Sequence, residues 1–151
     1  MEKYQLYIDG KFQDASSKKT FESLNPATEE PWALIAEAQT EDVNEAVNAA
    51  YNAFHGEWSS FLPNERGKFL RAIGDQLKNN AELLGTIETR DTGKMYKETK
   101  FQANYIAEYY YYYAGLADKV EGATLPIDKP DMQVFTTREP IGVVAAIVPW
   151  N

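Results

Sequence analysis

The sequence predicts an α/β protein in which a short hairpin and four helices precede a strand arm and one buried strand. Three observations carry that reading. An Asp-Gly pair sits between two strand-like runs in Leu6–Phe12. Between Thr40 and Asp118, apolar residues recur at helical spacing in four successive segments. Near the end, Gly142–Val148 is an unbroken apolar run, the pattern of a strand covered on both faces within a parallel sheet.

The elements follow in order. Asp9-Gly10 is a strong hairpin signal, because both central residues of the tight turn need positive φ. Asn25-Pro26-Ala27-Thr28 is turn chemistry, and Trp32–Ala36 reads as a short strand. The period then changes. Thr40 suits a helix N-cap, and Glu41 and Asp42 follow in the first turn, where the helix dipole favours them. Val43, Ala46, Val47, Ala50 and Phe54 form an apolar face, and Gly56 ends that helix. Pro63 opens a second helix, whose apolar face is Phe69, Leu70, Ile73 and Leu77. Asn80 caps a third, which carries Leu83, Leu84 and Ile87 and stops near Thr92-Gly93. The fourth spans Lys97–Asp118.

After Gly122 the pattern returns to strands. Thr124–Ile127 is one. Met132–Thr137 is another, with Val134 and Thr136 facing opposite to Gln133 and Phe135. Pro140 and Gly142 break it before the last apolar run. A buried parallel strand needs neighbours, and none follows this one. The expectation is therefore a chain cut from a longer protein.

Composition narrows the function classes. The chain has 151 residues, 44% of them hydrophobic, which is enough for one core. With 15 basic and 23 acidic residues the net charge is -8, and no window is basic enough to bind nucleic acid. A bound anion would need local help, such as a helix N-terminus. No cysteine is present, so disulfides, thiolate metal sites and a cysteine nucleophile are excluded within these residues. The longest apolar stretch, Ile141–Trp150, is too short to span a bilayer, and no leader pattern opens the chain. A soluble, cytoplasmic protein with neither nucleic acid nor membrane as partner is expected.

The stretches NPATEE, DTGK, YYAGLADKVEG and PIGVVAAIVPWN occur in one order along the chain; the EP-x-G-(x)6-PWN block is specific, and the other pieces alone are weak. Together they resemble the N-terminal third of the NAD(P)-dependent aldehyde dehydrogenase superfamily, from the hairpin to Asn151. The resemblance implies the first part of an aldehyde-dehydrogenase-like fold with a Rossmann-like sheet. Residues 1–121 would be the N-terminal part of the cofactor-binding domain. Residues 122–140 would be an oligomerisation strand arm, and 141–151 the first parallel strand, with the catalytic domain absent.

Site residues follow from the same resemblance. Asn151 would lie just past the C-terminal end of a parallel strand, where open α/β sheets place their ligands. A side-chain amide there donates N–H without a charge to desolvate, and such a donor to an oxyanion is worth roughly 3–4 kcal/mol. The resemblance implies that Asn151 does this for a thiohemiacetal formed by a cysteine. An asparagine that merely ends a strand as a turn residue is the plain alternative. Ile147, Val148, Pro149 and Trp150 are either core and turn residues or, by resemblance, a wall beside the nicotinamide of NAD or NADP.

Tyr109–Tyr113 are consecutive, with Tyr105 one turn earlier. Rings on every face suit a helix wedged between core and partner. The resemblance makes this helix a lining of the aldehyde tunnel. Tyr105 and Tyr109, which share a face at i, i+4 spacing, are its candidates, and such a tunnel suits an apolar or cationic aldehyde. Strands 124–127 and 132–137 read by themselves as an ordinary surface hairpin; the resemblance makes them an oligomerisation arm and so implies a homodimer or homotetramer. His55 reads as an exposed cap residue. Asp91 matches a position sometimes near a structural cation, and is otherwise a helix-end residue. No metal site is expected.

The family's nucleophilic cysteine, its general-base glutamate, and the lysine and glutamate that hold the cofactor ribose cannot be placed here. Two other readings remain: a non-catalytic segment that acts only in assembly through its arm, and a complete small α+β binding domain.

Overall fold

The structure, a computed structural model, describes residues 1–148. Five strands come first: β1 (Glu2–Tyr4), β2 (Leu6–Ile8), β3 (Lys11–Gln13), β4 (Thr20–Leu24) and β5 (Pro31–Ala36). β2 and β3 form the expected hairpin, with Asp9 at φ 50° and Gly10 at φ 75°. Those left-handed values are what the Asp-Gly pair tolerates. β1, β5 and β4 form a second sheet in that order, β1 parallel and β4 antiparallel to β5. The Asn25 turn joins β4 to β5, its side chain accepting from the Ala27 amide at 2.9 Å.

Five helices follow: α1 (Thr40–His55), α2 (Glu57–Ser60), α3 (Pro63–Asn79), α4 (Ala81–Thr92) and α5 (Tyr96–Leu116). Pro63 opens α3, and Gly93, at φ 75°, ends α4 as predicted. The single turn α2 is an addition to the four predicted helices.

The N-cap of α1 is Gln39 rather than Thr40. The cause is Asp42, whose carboxylate reaches back to the Gln39 amide at 2.7 Å and so starts the helix one residue earlier. Asp42 is buried, and it also accepts from the Ser16 amide at 2.9 Å and the Ser16 hydroxyl at 3.1 Å. It therefore ties the start of α1 to the loop after β3. Bonds from Gln39 and then Ser16 outweigh the burial and hold its carboxyl below the ordinary value of 3.8. A depressed folded pKa gives stability that is full above the unfolded value and lost as pH falls through the folded one. Protection of the amides in the first turn of α1, taken relative to intrinsic exchange at the same pH, is expected to fall as pH drops below about 4. In Asp42→Asn that protection should be low already at neutral pH and nearly flat with pH. Equal protection in both proteins at pH 7 would refute this.

α3 and α4 both pack on α5, and the seam is built from small residues. Gly67 and Gly74 of α3 and Gly85 of α4 are buried against α5, which presents Ala103, Ala107 and Ala114. Buried Thr99 locks the pair α4–α5: its hydroxyl donates to the Gly85 carbonyl at 2.9 Å and lies 2.9 Å from the Thr89 hydroxyl.

The apolar faces predicted for α1 and α3 are largely open. Val43, Val47, Phe69 and Ile73 are all exposed. α1 meets the hairpin side through Asp42, with Ala46 and Ala49 half-buried, and α3 meets α5 through its glycines. The predicted faces were the widest apolar stripes, whereas close helix packing selected the smallest residues.

The arm is shorter than predicted: β6 (Thr124–Leu125) pairs antiparallel with β7 (Val134–Phe135). Gly142–Val148, predicted as a buried parallel strand, has no strand structure, and Ile147 is fully exposed. A strand exists only by pairing, and no described strand lies beside this run. The fold is α/β, as the sequence predicts.

Candidate functional site

The aromatic helix α5 has two faces with different chemistry. Its small residues turn inward, and the outward face is left to aromatic rings spaced three and four apart. Tyr105 and Tyr109 are brought together as predicted, with ring centroids 5.4 Å apart at 86°. Phe101 stacks on the other side of Tyr105 at 5.9 Å and 10°. Tyr112 and Tyr113 follow, 5.3 Å apart. Edge-to-face and offset contacts of this kind rigidify a ring ladder.

Two open clefts flank Tyr105. One, of about 300 Å³, is lined by Tyr105, Glu108, Tyr109, Tyr112 and Tyr113. The other, of about 660 Å³, is lined by Met95, Lys97, Glu98, Phe101, Gln102 and Tyr105. Tyr105 is their shared wall. Glu108 is the acid of the first cleft, and Lys78 of α3 lies 3.7 Å from it. The Tyr109 phenol is held above the ordinary tyrosine range, first by its hydrogen bond with Tyr105 and then by the Tyr105 charge, burial and Tyr113. Tyr109 thus keeps its proton at physiological pH and offers a hydroxyl rather than a charge.

The sequence reasoning missed Phe101, Glu108, Tyr112 and Tyr113 as lining residues. Phe101 was findable as the i-4 neighbour of Tyr105. Tyr112 and Tyr113 were not separable from Tyr110 and Tyr111 within an unbroken run until the inward face was known. Tyr111 turns toward α3 and donates to Asp75 at 2.7 Å, a bond that also raises its pKa.

Of the predicted cofactor wall, Ile147 and Val148 are described, and both are exposed. Pro149, Trp150 and Asn151 lie outside the described residues. Residues 143–148, Val-Val-Ala-Ala-Ile-Val, carry no charge and leave an apolar surface bare.

Asp91 accepts a hydrogen bond from the Ser23 hydroxyl, and Ser23 Oγ accepts from the Trp32 indole at 3.2 Å. It thereby joins α4 to the β4–β5 sheet. His55 is exposed at the end of α1, beside the Tyr51 ring at 4.4 Å. Among the described residues no group of three or more His, Asp or Glu is placed to hold a metal ion, and no helix is long and apolar enough to cross a membrane.

The model of the aldehyde dehydrogenase family matches residues 12–151. The chain is 54% identical over 152 residues to the (Z)-2-((N-methylformamido)methylene)-5-hydroxybutyrolactone dehydrogenase of Acinetobacter baylyi, covering all of this chain and 31% of that protein. A structure of aldehyde dehydrogenase from Bacillus cereus superposes with a TM-score of 0.86 at 37% identity, over 93% of this chain and 29% of that one. Betaine aldehyde dehydrogenase from Staphylococcus aureus, in complex with NAD+, superposes with a TM-score of 0.78 at 38% identity, over 85% of this chain and 26% of that one. The chain spans about a third of the length of such relatives.

Proposed function

The chain belongs to the aldehyde dehydrogenase family, and from that premise we propose that it is the N-terminal segment of an NAD(P)-dependent enzyme. That enzyme oxidises an aldehyde to a carboxylic acid by way of a cysteine thiohemiacetal. The observation that carries the reading is the family match running through the PWN block to Asn151.

In this reading the segment supplies three things. Asn151 donates its amide to the oxyanion that forms when the thiolate adds to the aldehyde carbon. Ile147, Val148, Pro149 and Trp150 form the apolar wall beside NAD or NADP, which when bound supplies the hydride acceptor. Tyr105 and Tyr109 line the approach of the aldehyde, whose class is apolar or cationic because the rings present π faces. The nucleophilic cysteine comes from the remainder of the polypeptide, since this chain has none. Residues 141–151 pair as the first parallel strand once neighbouring strands are present.

The arm carries the assembly. Leu125, Ile127, Met132 and Phe135 are exposed on or beside a two-stranded ribbon, a surface that a second subunit can cover to give a homodimer or homotetramer.

Tyr105→Ala in the full-length protein is expected to raise KM for long-chain and aryl aldehydes about tenfold, with little change for acetaldehyde. KM values unchanged across the series would remove Tyr105 from the tunnel.

A further inference from the structure

We infer that Gly74 and Asp75 of α3 are positioning residues for the aromatic face of α5, acting through Tyr111. The inference rests on the tunnel reading above. The seam between α3 and α5 is made of glycine and alanine, which let the backbones approach closely but give little that resists rotation of one helix about its own axis. Tyr111 supplies that resistance. Its hydroxyl donates to Asp75 Oδ1 at 2.7 Å.

Its ring lies in a notch that exists because residue 74 has no side chain. A Cβ at Gly74 would stand 2.7 Å from Tyr111 Cε1, 3.1 Å from Cδ1 and 3.2 Å from the Ala107 carbonyl oxygen. One turn along, Lys78 Nζ lies 3.7 Å from Glu108 Oε1, so the same two helices are tied again at a residue that lines the tyrosine cleft. A rotation of α5 by about 10° carries a ring at the helix rim, about 6 Å from the axis, by about 1 Å. That displacement is enough to spoil the fit of a bulky substrate. Tyr111 therefore belongs to the aiming of the face, and Tyr105 and Tyr109 to the face itself.

The test uses the full-length protein. Asp75→Ala and Tyr111→Phe should raise KM for long-chain and aryl aldehydes roughly fivefold, the factor carried by one net hydrogen bond. KM for acetaldehyde and kcat should stay near the parent values. Asp75→Asn keeps an acceptor and should restore the parent KM. A KM that rises equally for acetaldehyde and the bulky aldehydes, or that does not rise in Asp75→Ala, overturns the inference.

Fluorotyrosine labelling reads the geometry without turnover. Fluorine NMR resonances of Tyr105 and Tyr109, assigned with Tyr105→Phe and Tyr109→Phe, should move in Asp75→Ala and in Gly74→Ala and return in Asp75→Asn. Unmoved resonances in Asp75→Ala overturn the inference as well. Moved resonances in a protein that oxidises no aldehyde would sink the tunnel reading while upholding the positioning role.

Discussion

Asn151→Ala in the full-length protein is expected to lower kcat for aldehyde oxidation by about 10²- to 10³-fold, with KM within a few-fold of the parent value. The reason is differential. An amide N–H aimed at the carbonyl oxygen gains little while the aldehyde is neutral and much once thiolate addition places a full charge on that oxygen. Loss of the donor therefore falls on kcat. Asn151→Asp should be at least as damaging, because it sets a like charge beside the oxyanion in place of a donor. Steady-state kinetics on the two variants checks this. A kcat within threefold of the parent in Asn151→Ala would return Asn151 to the role of a strand-end turn residue.

The second large effect is structural. Gly85→Ala is expected to cost about 1–3 kcal/mol or more. The added Cβ would lie 2.8 Å from the Lys100 backbone nitrogen and 2.9 Å from its Cα, and a backbone in mid-helix cannot step aside. The change would also part Thr99 from the Gly85 carbonyl, leaving a buried hydroxyl to find another partner. Gly115→Ala is the matched control. Nothing lies within 4 Å of a Cβ at Gly115, which sits in the same helix as Lys100, so alanine there gains up to about 1 kcal/mol of helix propensity. Urea unfolding of the two variants separates the cases. Similar midpoints for Gly85→Ala and Gly115→Ala would show that α4 and α5 do not approach this closely.

Much of this architecture is written in local chemistry. Asp9-Gly10, Pro63 and Gly93 each demand one backbone conformation, and each stands where that demand predicts. The start of α1 was displaced by a single residue because Asp42 makes tertiary bonds to Ser16 as well as the local one to Gln39, and a loop 26 residues away is not visible in a local pattern.

The buried faces of α3 and α5 escaped for a different reason. Hydrophobic periodicity finds large side chains, whereas this seam selects Gly67, Gly74, Ala107 and Ala114. The same inversion exposes Phe69 and Ile73 and turns Tyr105 and Tyr109 outward. The pairing of Tyr105 with Tyr109 was legible from i, i+4 spacing alone. The place of Tyr111 was not, because its partner Asp75 lies 36 positions earlier. Gly142–Val148 shows the limit of an apolar run as a predictor: the residues favour a buried strand, but a strand is a property of the pair.

The most direct measurement is aldehyde-dependent formation of NADH or NADPH, followed by absorbance, with the full-length native protein and the 151-residue chain assayed side by side. The account predicts reduction of the cofactor by the native protein and none by the chain alone, which has no cysteine to attack the aldehyde. Turnover by the 151-residue chain, or no turnover of any aldehyde by the native protein, would contradict it.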